Sequence, residues 1–253
     1  MSATSENSSE QRFTSGTLEE LRLLQLADSA LPIGSLAHSF GLETLVSDDL
    51  IRVENLTEFL SAYLEEAGLM EAVFCRDANH LATTGGAEAF RIEDLLALNE
   101  ELSALKPARE SRAGSAALGN NLLQLASALG DFAIIRQALA AARATSPPNS
   151  SKGNTIQHTI AFGLVAGAIG VGERRAMATY LHQFVASLVS ACQRLMPLGQ
   201  TLAAKFLWDL KPLILRTAER AAACPREDAC CFLPLLDWGA MEHPALATRL
   251  FIS

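Results

Sequence analysis

The sequence predicts an all-α fold, a single-domain bundle of about eight to ten helices, from three observations. Apolar residues recur at helical spacing along most of the 253 residues. Aromatics make up only 6% of a chain that is 49% hydrophobic, so the core must be built from Leu, Ala, Ile and Val, which suits packed helices. No run alternates apolar and polar residues as a half-buried strand would.

Each element has its own signal. The first 16 residues, MSATSENSSEQRFTSG, are polar, lack an apolar core and read as a disordered tail ahead of one domain over 17–253. Leu56, Phe59, Leu60, Tyr63, Leu64, Ala67, Met70 and Phe74 lie on one helical face across five turns, with Asn55 or Glu54 able to cap the start. Leu95, Leu96, Leu98, Leu102 and Leu105 make a second stripe, closed by Pro107. Leu118, Leu122, Leu125 and Leu129 make a third, ending at Gly130 as a residue just past a helix. Phe132, Ile134, Ile135 and Leu139 open another at once, after Asp131. Residues 144–155, ATSPPNSSKGNT, are the clearest loop. Beyond it lie a Gly-rich apolar helix and two longer ones divided at Pro197-Leu198-Gly199, the second running to about Ala223.

Composition excludes several classes. A net charge of −8 argues against a nucleic-acid binder, which needs a basic face. Residues 153–172 are uncharged, but they include five glycines and their strongly apolar part runs only from Ile160 to Val171, the length of a buried helix rather than a membrane span. Five cysteines, odd in number and mostly in helical patterns, point to reduced thiols and a cytoplasmic setting. There is no P-loop or dinucleotide frame, since SSKG at 150–153 lacks both.

The densest polar chemistry in the first half is LADSALPIGSLAHSFGLE, Leu26 to Glu43. Ser35 and Ser39 do not stand in a G-x-S-x-G turn, and adjacent His38 and Ser39 would point about 100° apart on a helix, so a hydrolase nucleophile is poorly supplied. Pro32 and Gly34 turn the chain, and Ser35 is placed to cap a helix starting at Leu36. His38 and Glu43 are five apart, which one helical face does not present together. Cys224, Cys230, Cys231 and His243 are soft metal-ligand types without a C-x-x-C pair. Gly163 and Gly167, four apart, let another backbone approach, either inside the bundle or from another subunit. The chain ends in Leu250, Phe251 and Ile252, a segment that must dock on its own domain or on a partner, with Trp238, Arg249 and Phe251 of the types that dominate interfaces.

Together these stretches resemble the UreF-type urease accessory proteins. LLQLADSALPIGSLAHSFGLE (Leu23–Glu43) is similar to that family's opening motif, with Asp28, Pro32, Gly34, His38, Ser39, Gly41, Leu42 and Glu43 in place. RAGSAALG (Arg112–Gly119), HTIAFGLVAGAIG (His158–Gly170) and RLMPLGQT (Arg194–Thr201, with Gln200) resemble its middle segments. LLDWGAMEHPALATRLFIS resembles its tail, through Met241, His243, Arg249, Leu250, Phe251 and Ser253. The resemblance runs from Leu18 onward and implies an all-α homodimer that is not an enzyme. It implies binding to a UreD-type protein (also called UreH), recruitment of a UreG-type GTPase, and nickel delivery to apo-urease. On this analogy the partner-binding residues are Pro32, Gly34, His38, Ser39, Glu43, Arg194, Gln200, Met241, His243, Arg249, Leu250, Phe251 and Ser253. The tail from 232 to 253 docks the UreD-type partner, and nickel is handled by the complex, with none bound tightly. A direct nickel chaperone using His and Cys ligands is the alternative, and a helical hydrolase using Ser35 or Ser39 the more distant one.

Overall fold

A computed structural model of the chain describes residues 16–84, 86–144 and 156–253. The expected polar tail before residue 16 and residues 145–155 of the expected loop lie outside the described residues. The helices are, in order, α1 (residues 16–26), α2 (Leu42–Ser47), α3 (Leu56–Tyr63), α4 (Leu69–Thr83), α5 (Gly86–Ala89), α6 (Ile92–Ala104), α7 (Arg109–Leu129), α8 (Ala133–Ala144), α9 (His158–Ala168), α10 (Glu173–Leu195), α11 (Gln200–Asp209), α12 (Lys211–Ala223) and α13 (Pro234–Glu242). No strand occurs among the described residues, as the composition predicts. No helix among them is long and apolar enough to cross a membrane.

The Gly-rich apolar segment becomes α9, buried on every side from His158 to Gly167, with α4, α6, α7, α8 and α10 around it. A helix apolar all round belongs at the centre of a bundle. Its two glycines face α4. A Cβ on Gly163 would meet the Cys75 carbonyl oxygen at 2.2 Å, and one on Gly167 the Ala82 Cβ at 2.7 Å. The small-residue pair therefore serves packing within the chain. A helix sunk this deep cannot leave its first N–H groups to solvent. Two neighbours satisfy them: the Gln157 amide donates to Asn99 Oδ1 of α6 at 2.8 Å, and the His158 amide to Ser115 Oγ of α7 at 3.1 Å.

The structure departs from the periodicity in four places. The stripe from Leu56 to Phe74 is not one α-helix, because a π turn at Leu64–Gly68 separates α3 from α4. The wider turn keeps Leu64, Ala67 and Met70 buried while Glu65 and Glu66 face out. Asn55 precedes α3 without capping it: its side chain accepts from the Arg52 amide and donates to the Leu50 carbonyl, closing the preceding turn. Gly130 ends α7 in an extended conformation rather than a left-handed one, with the Phe132 ring folded against it. The segment after Gly199 is two helices broken at Leu210, since Pro212 has no N–H to continue the ladder and suits a helix start.

Because Gly163 abuts backbone that cannot rotate away, Gly163→Ala is expected to destabilise the chain by about 3 kcal/mol. Thermal unfolding should show a midpoint lower by roughly 6–12 °C for a chain of this size.

Candidate protein-docking site

The opening motif is built by backbone reversals. Asp28 accepts the Ala30 amide through Oδ1 and the Leu31 amide through its carbonyl, closing the turn before Pro32. Gly34 is left-handed at φ 87° and leads directly into a one-turn 3-10 helix, Ser35–Ala37. Gly34 holds the cap position and Ser35 is the first helical residue, so the expected Ser35 cap does not form. Phe40 and Gly41 then take positive φ in succession, 52° and 94°. Gly41 needs this and its lack of a side chain, because a Cβ there would meet the Ala240 amide nitrogen and the Leu236 carbonyl oxygen of α13 at 2.8 Å. Gly239 answers from the other side, within 2.8 Å of the Gly41 oxygen by the same measure.

Against this turn lies the tail, and Glu43 at the start of α2 is its anchor. The Glu43 carboxylate is buried. It accepts the Leu250 amide at 2.5 Å, the Phe251 amide at 3.1 Å and His243 Nε2 at 2.9 Å. The other ring nitrogen of His243, Nδ1, sits 2.8 Å from Glu110 of α7, whose second oxygen is 3.7 Å from Arg249. Further out, the Ile252 amide donates to the Ala37 carbonyl, and the Ser39 and Phe40 amides donate to the Ser253 carbonyl. His38 Nδ1 and Ser253 Oγ are 2.7 Å apart. Gly114 of α7 makes room for that pair, since a Cβ on it would meet both within 2.9 Å. Arg194, near the end of α10, donates to the Leu36 and Leu250 carbonyls and lies 4.2 Å from the centre of the Phe251 ring.

Thus His38, Ser39, Glu43, Arg194, His243, Arg249, Leu250, Phe251 and Ser253 form one cluster joining residues 36–43 to 243–253. Pro32 and Gly34 shape its approach. Met241 faces solvent on α13, and Gln200 opens α11 on the surface outside the hydrogen-bonded cluster. Of the residues expected to make interface contacts, Phe251 is buried in this chain, whereas Trp238 is 40% exposed. Within the single chain the tail docks on its own domain. The cysteines and His243 do not meet, and among the described residues no group of three or more His, Cys, Asp or Glu side chains is placed to hold a metal ion.

Sequence reasoning missed Glu110, which nothing on its own helix singles out. It also missed a second polar cluster behind the tail. Glu71 of α4 is buried, paired with Lys106 at 2.5 Å, and takes hydrogen bonds from Thr159 and from Tyr180 Oη, the latter at 2.9 Å. Its signal was available, since Glu71 falls on the apolar stripe between Ala67 and Cys75. Burial holds the Tyr180 phenol well above its usual range, with the Glu71 charge adding to it. His158 beside them is pushed down to about 3 by burial, then by Lys106 and His38.

A bundle without strands among its described residues, its C-terminal tail tied down by buried polar side chains, defines an all-α protein with a self-docked tail. The chain belongs to the UreF family of urease accessory proteins: the family's sequence model matches residues 51–211. It is 33% identical over 240 residues to a urease accessory protein UreF of Nostoc sp., covering 92% of this chain and 95% of that one. It is 34% identical over 239 residues to that of Trichormus variabilis, with the same coverage. The protein of the same name from Rhodopseudomonas palustris is 30% identical over 234 residues, 92% of each chain. These relatives carry the name of an accessory protein, not of an enzyme.

The geometry predicts two outcomes. Glu43→Ala removes the acceptor of two tail amides and His243, and is expected to cost about 3 kcal/mol. Hydrogen exchange should then rise sharply at Leu250 and Phe251 while α9 stays protected. For His158 the unfolded ring titrates near its ordinary 6.5 and the folded ring near 3, so the unfolded chain takes up the proton first as pH falls. The stability it contributes is complete above 6.5 and is lost toward 3, amounting to about 2 kcal/mol by about pH 5. Urea unfolding of His158→Gln should show a correspondingly shallower acid limb.

Proposed function

We propose that this chain is a non-enzymatic, cytoplasmic nickel-insertion chaperone that works as a homodimer, bridging a UreD/UreH-type protein and a UreG-type GTPase to activate apo-urease. The observation that carries the reading is the outer face of the docked tail. Leu235, Trp238 and Met241 recur at three-residue spacing along one face of α13 and are 40–51% exposed. Beyond them Phe251 points inward while Leu250 and Ile252 stay 56% and 69% exposed. An apolar strip held on a fixed backbone and left in water is the expected form of a protein-binding surface. It supports the tail as the site for the UreD-type partner.

A separate apolar face supports the homodimer. Leu24 of α1 and Leu215 of α12 are 68% and 57% exposed and flank a groove floored by Leu23, Ala178 and Ile214. None of these residues belongs to the tail cluster, so the two surfaces are usable at once. GTP chemistry belongs to the recruited partner, and nickel is cargo of the assembly rather than a resident cofactor of this chain.

The test is co-purification with the UreD-type and UreG-type proteins of the same organism. Trp238→Asp and Ile252→Asp change only the outer face and are expected to weaken capture of the UreD-type partner at least tenfold, on the order of 1.4 kcal/mol or more. Urease activation should fall in parallel, with the melting temperature unchanged. A chain cut after Glu242 should lose the partner too, but it also strands the Glu43 and Glu110 carboxylates, so the point variants decide. Undiminished capture by both variants would remove the tail from the interface.

A further inference from the structure

Behind the segment 231–237, which carries Cys231, Leu233, Leu236 and Asp237, lies a cavity of about 80 Å³ that nothing in the docking reading uses. Its walls are largely apolar, with Phe40, Tyr63 and Phe184 among them. Several polar groups converge in it: His158, Ser111, and the Lys106–Glu71 pair. His158 is 4% exposed, and neither ring nitrogen has a protein hydrogen-bond partner. Its ring lies against Phe162 and Tyr180, with centroids 6.3 and 5.5 Å away.

We propose that His158 anchors a binding site for ordered water, a small neutral hydrogen-bonded cluster seated between the imidazole, Ser111 and the Lys106–Glu71 pair. A neutral imidazole carries one donor and one acceptor, and leaving both unmade in the interior costs about 1–3 kcal/mol each, which native proteins avoid. A water needs roughly 10–15 Å³ of such space and two to four polar partners, so the cavity holds a few waters and is too small for a drug-sized molecule. The ring stays uncharged at neutral pH, and Lys106 and Glu71 already neutralise each other at 2.5 Å. Asp237 also lines the cavity, with its carboxyl held above its usual range by burial, so no positive charge is left over to hold an anion and the imidazole is left to water.

The test uses the full chain crystallised with and without pressurised xenon, alongside long-range 1H–15N spectra of the His158 ring. Expected are water density about 3 Å from at least one ring nitrogen, no xenon in the cavity, and a hydrogen-bonded ring signal that does not move between pH 5 and 8. In His158→Phe, which keeps the aromatic contacts and removes both nitrogens, the water peak nearest residue 158 should vanish. Xenon in the wild-type cavity with no water at either nitrogen would overturn the proposal, because only a dry apolar void takes up that gas. So would density for the same water, unmoved, in His158→Phe.

Discussion

The packing of residues 36–43 against the C-terminal tail depends on one carboxylate. Glu43 sits at the first turn of α2 with its side chain buried, and its donors come from the last eleven residues. A buried carboxylate without donors costs several kcal/mol, so α2 cannot pack as it does unless the tail is in place. The converse also holds. The tail has no helix over residues 246–253 to satisfy its own backbone. It takes acceptors from Glu43 and Ala37 and offers the Ser253 carbonyl to Ser39 and Phe40. Residues 37–43 and the tail each supply the hydrogen-bonding groups that the other lacks, across some 200 residues.

The same logic repeats at the centre. Helix α9 is apolar enough to sit inside the bundle, and for that reason it cannot supply its own polar partners. Asn99 and Ser115 reach in from α6 and α7 to take its first amides, and Asn79 of α4 donates to the Gly163 carbonyl at mid-helix and to the Val171 carbonyl just past its other end. Gly163 and Gly167 bring α4 close enough for that last contact. The small residues and the buried amides are thus one device: close backbone approach is possible where the glycines are, and polar side chains satisfy what the approach desolvates.

How far the sequence could be read depends on this arrangement. Helical periodicity is local, so stripes such as Leu95–Leu98–Leu102 and the apolar α9 were legible, along with the all-α class. Breaks that depend on packing were not. The π turn after Tyr63 is a response to what surrounds α3 and α4, and Gly130 is extended because Phe132 folds onto it. In the docking site, the opening motif and the tail were both visible as unusual stretches, and their resemblance to the UreF family picked out most of the cluster. That His38 would meet Ser253, or Glu43 meet His243, was not visible, because such pairings need the fold to bring positions 200 apart together. Glu110 marks the limit, being an ordinary helix-surface glutamate until His243 and Arg249 are placed against it. The spacing argument that kept His38 and Glu43 off one helical face was sound, yet both serve one cluster because the chain there is a series of reversals.

On the proposed function, docking the tail on its own domain does not remove it from partner binding; it defines the form in which it would be offered. A free apolar segment of this length would lose roughly 1–2 kcal/mol of backbone entropy per residue on being ordered by a partner, and it would expose Phe251 as well as Leu250 and Ile252 to water. Held by Glu43, Arg194 and Ala37, the segment has already been ordered by folding, with Phe251 turned inward under the Arg194 guanidinium. Only the alternate side chains and the outer stripe of α13 remain exposed, at fixed spacing. The proposed partner would then meet a preorganised surface and gain from covering it without bearing the cost of arranging it. The hydrogen bonds of the opening motif and the apolar outer strip of the tail are therefore two sides of one structure, the first holding rigid what the second presents.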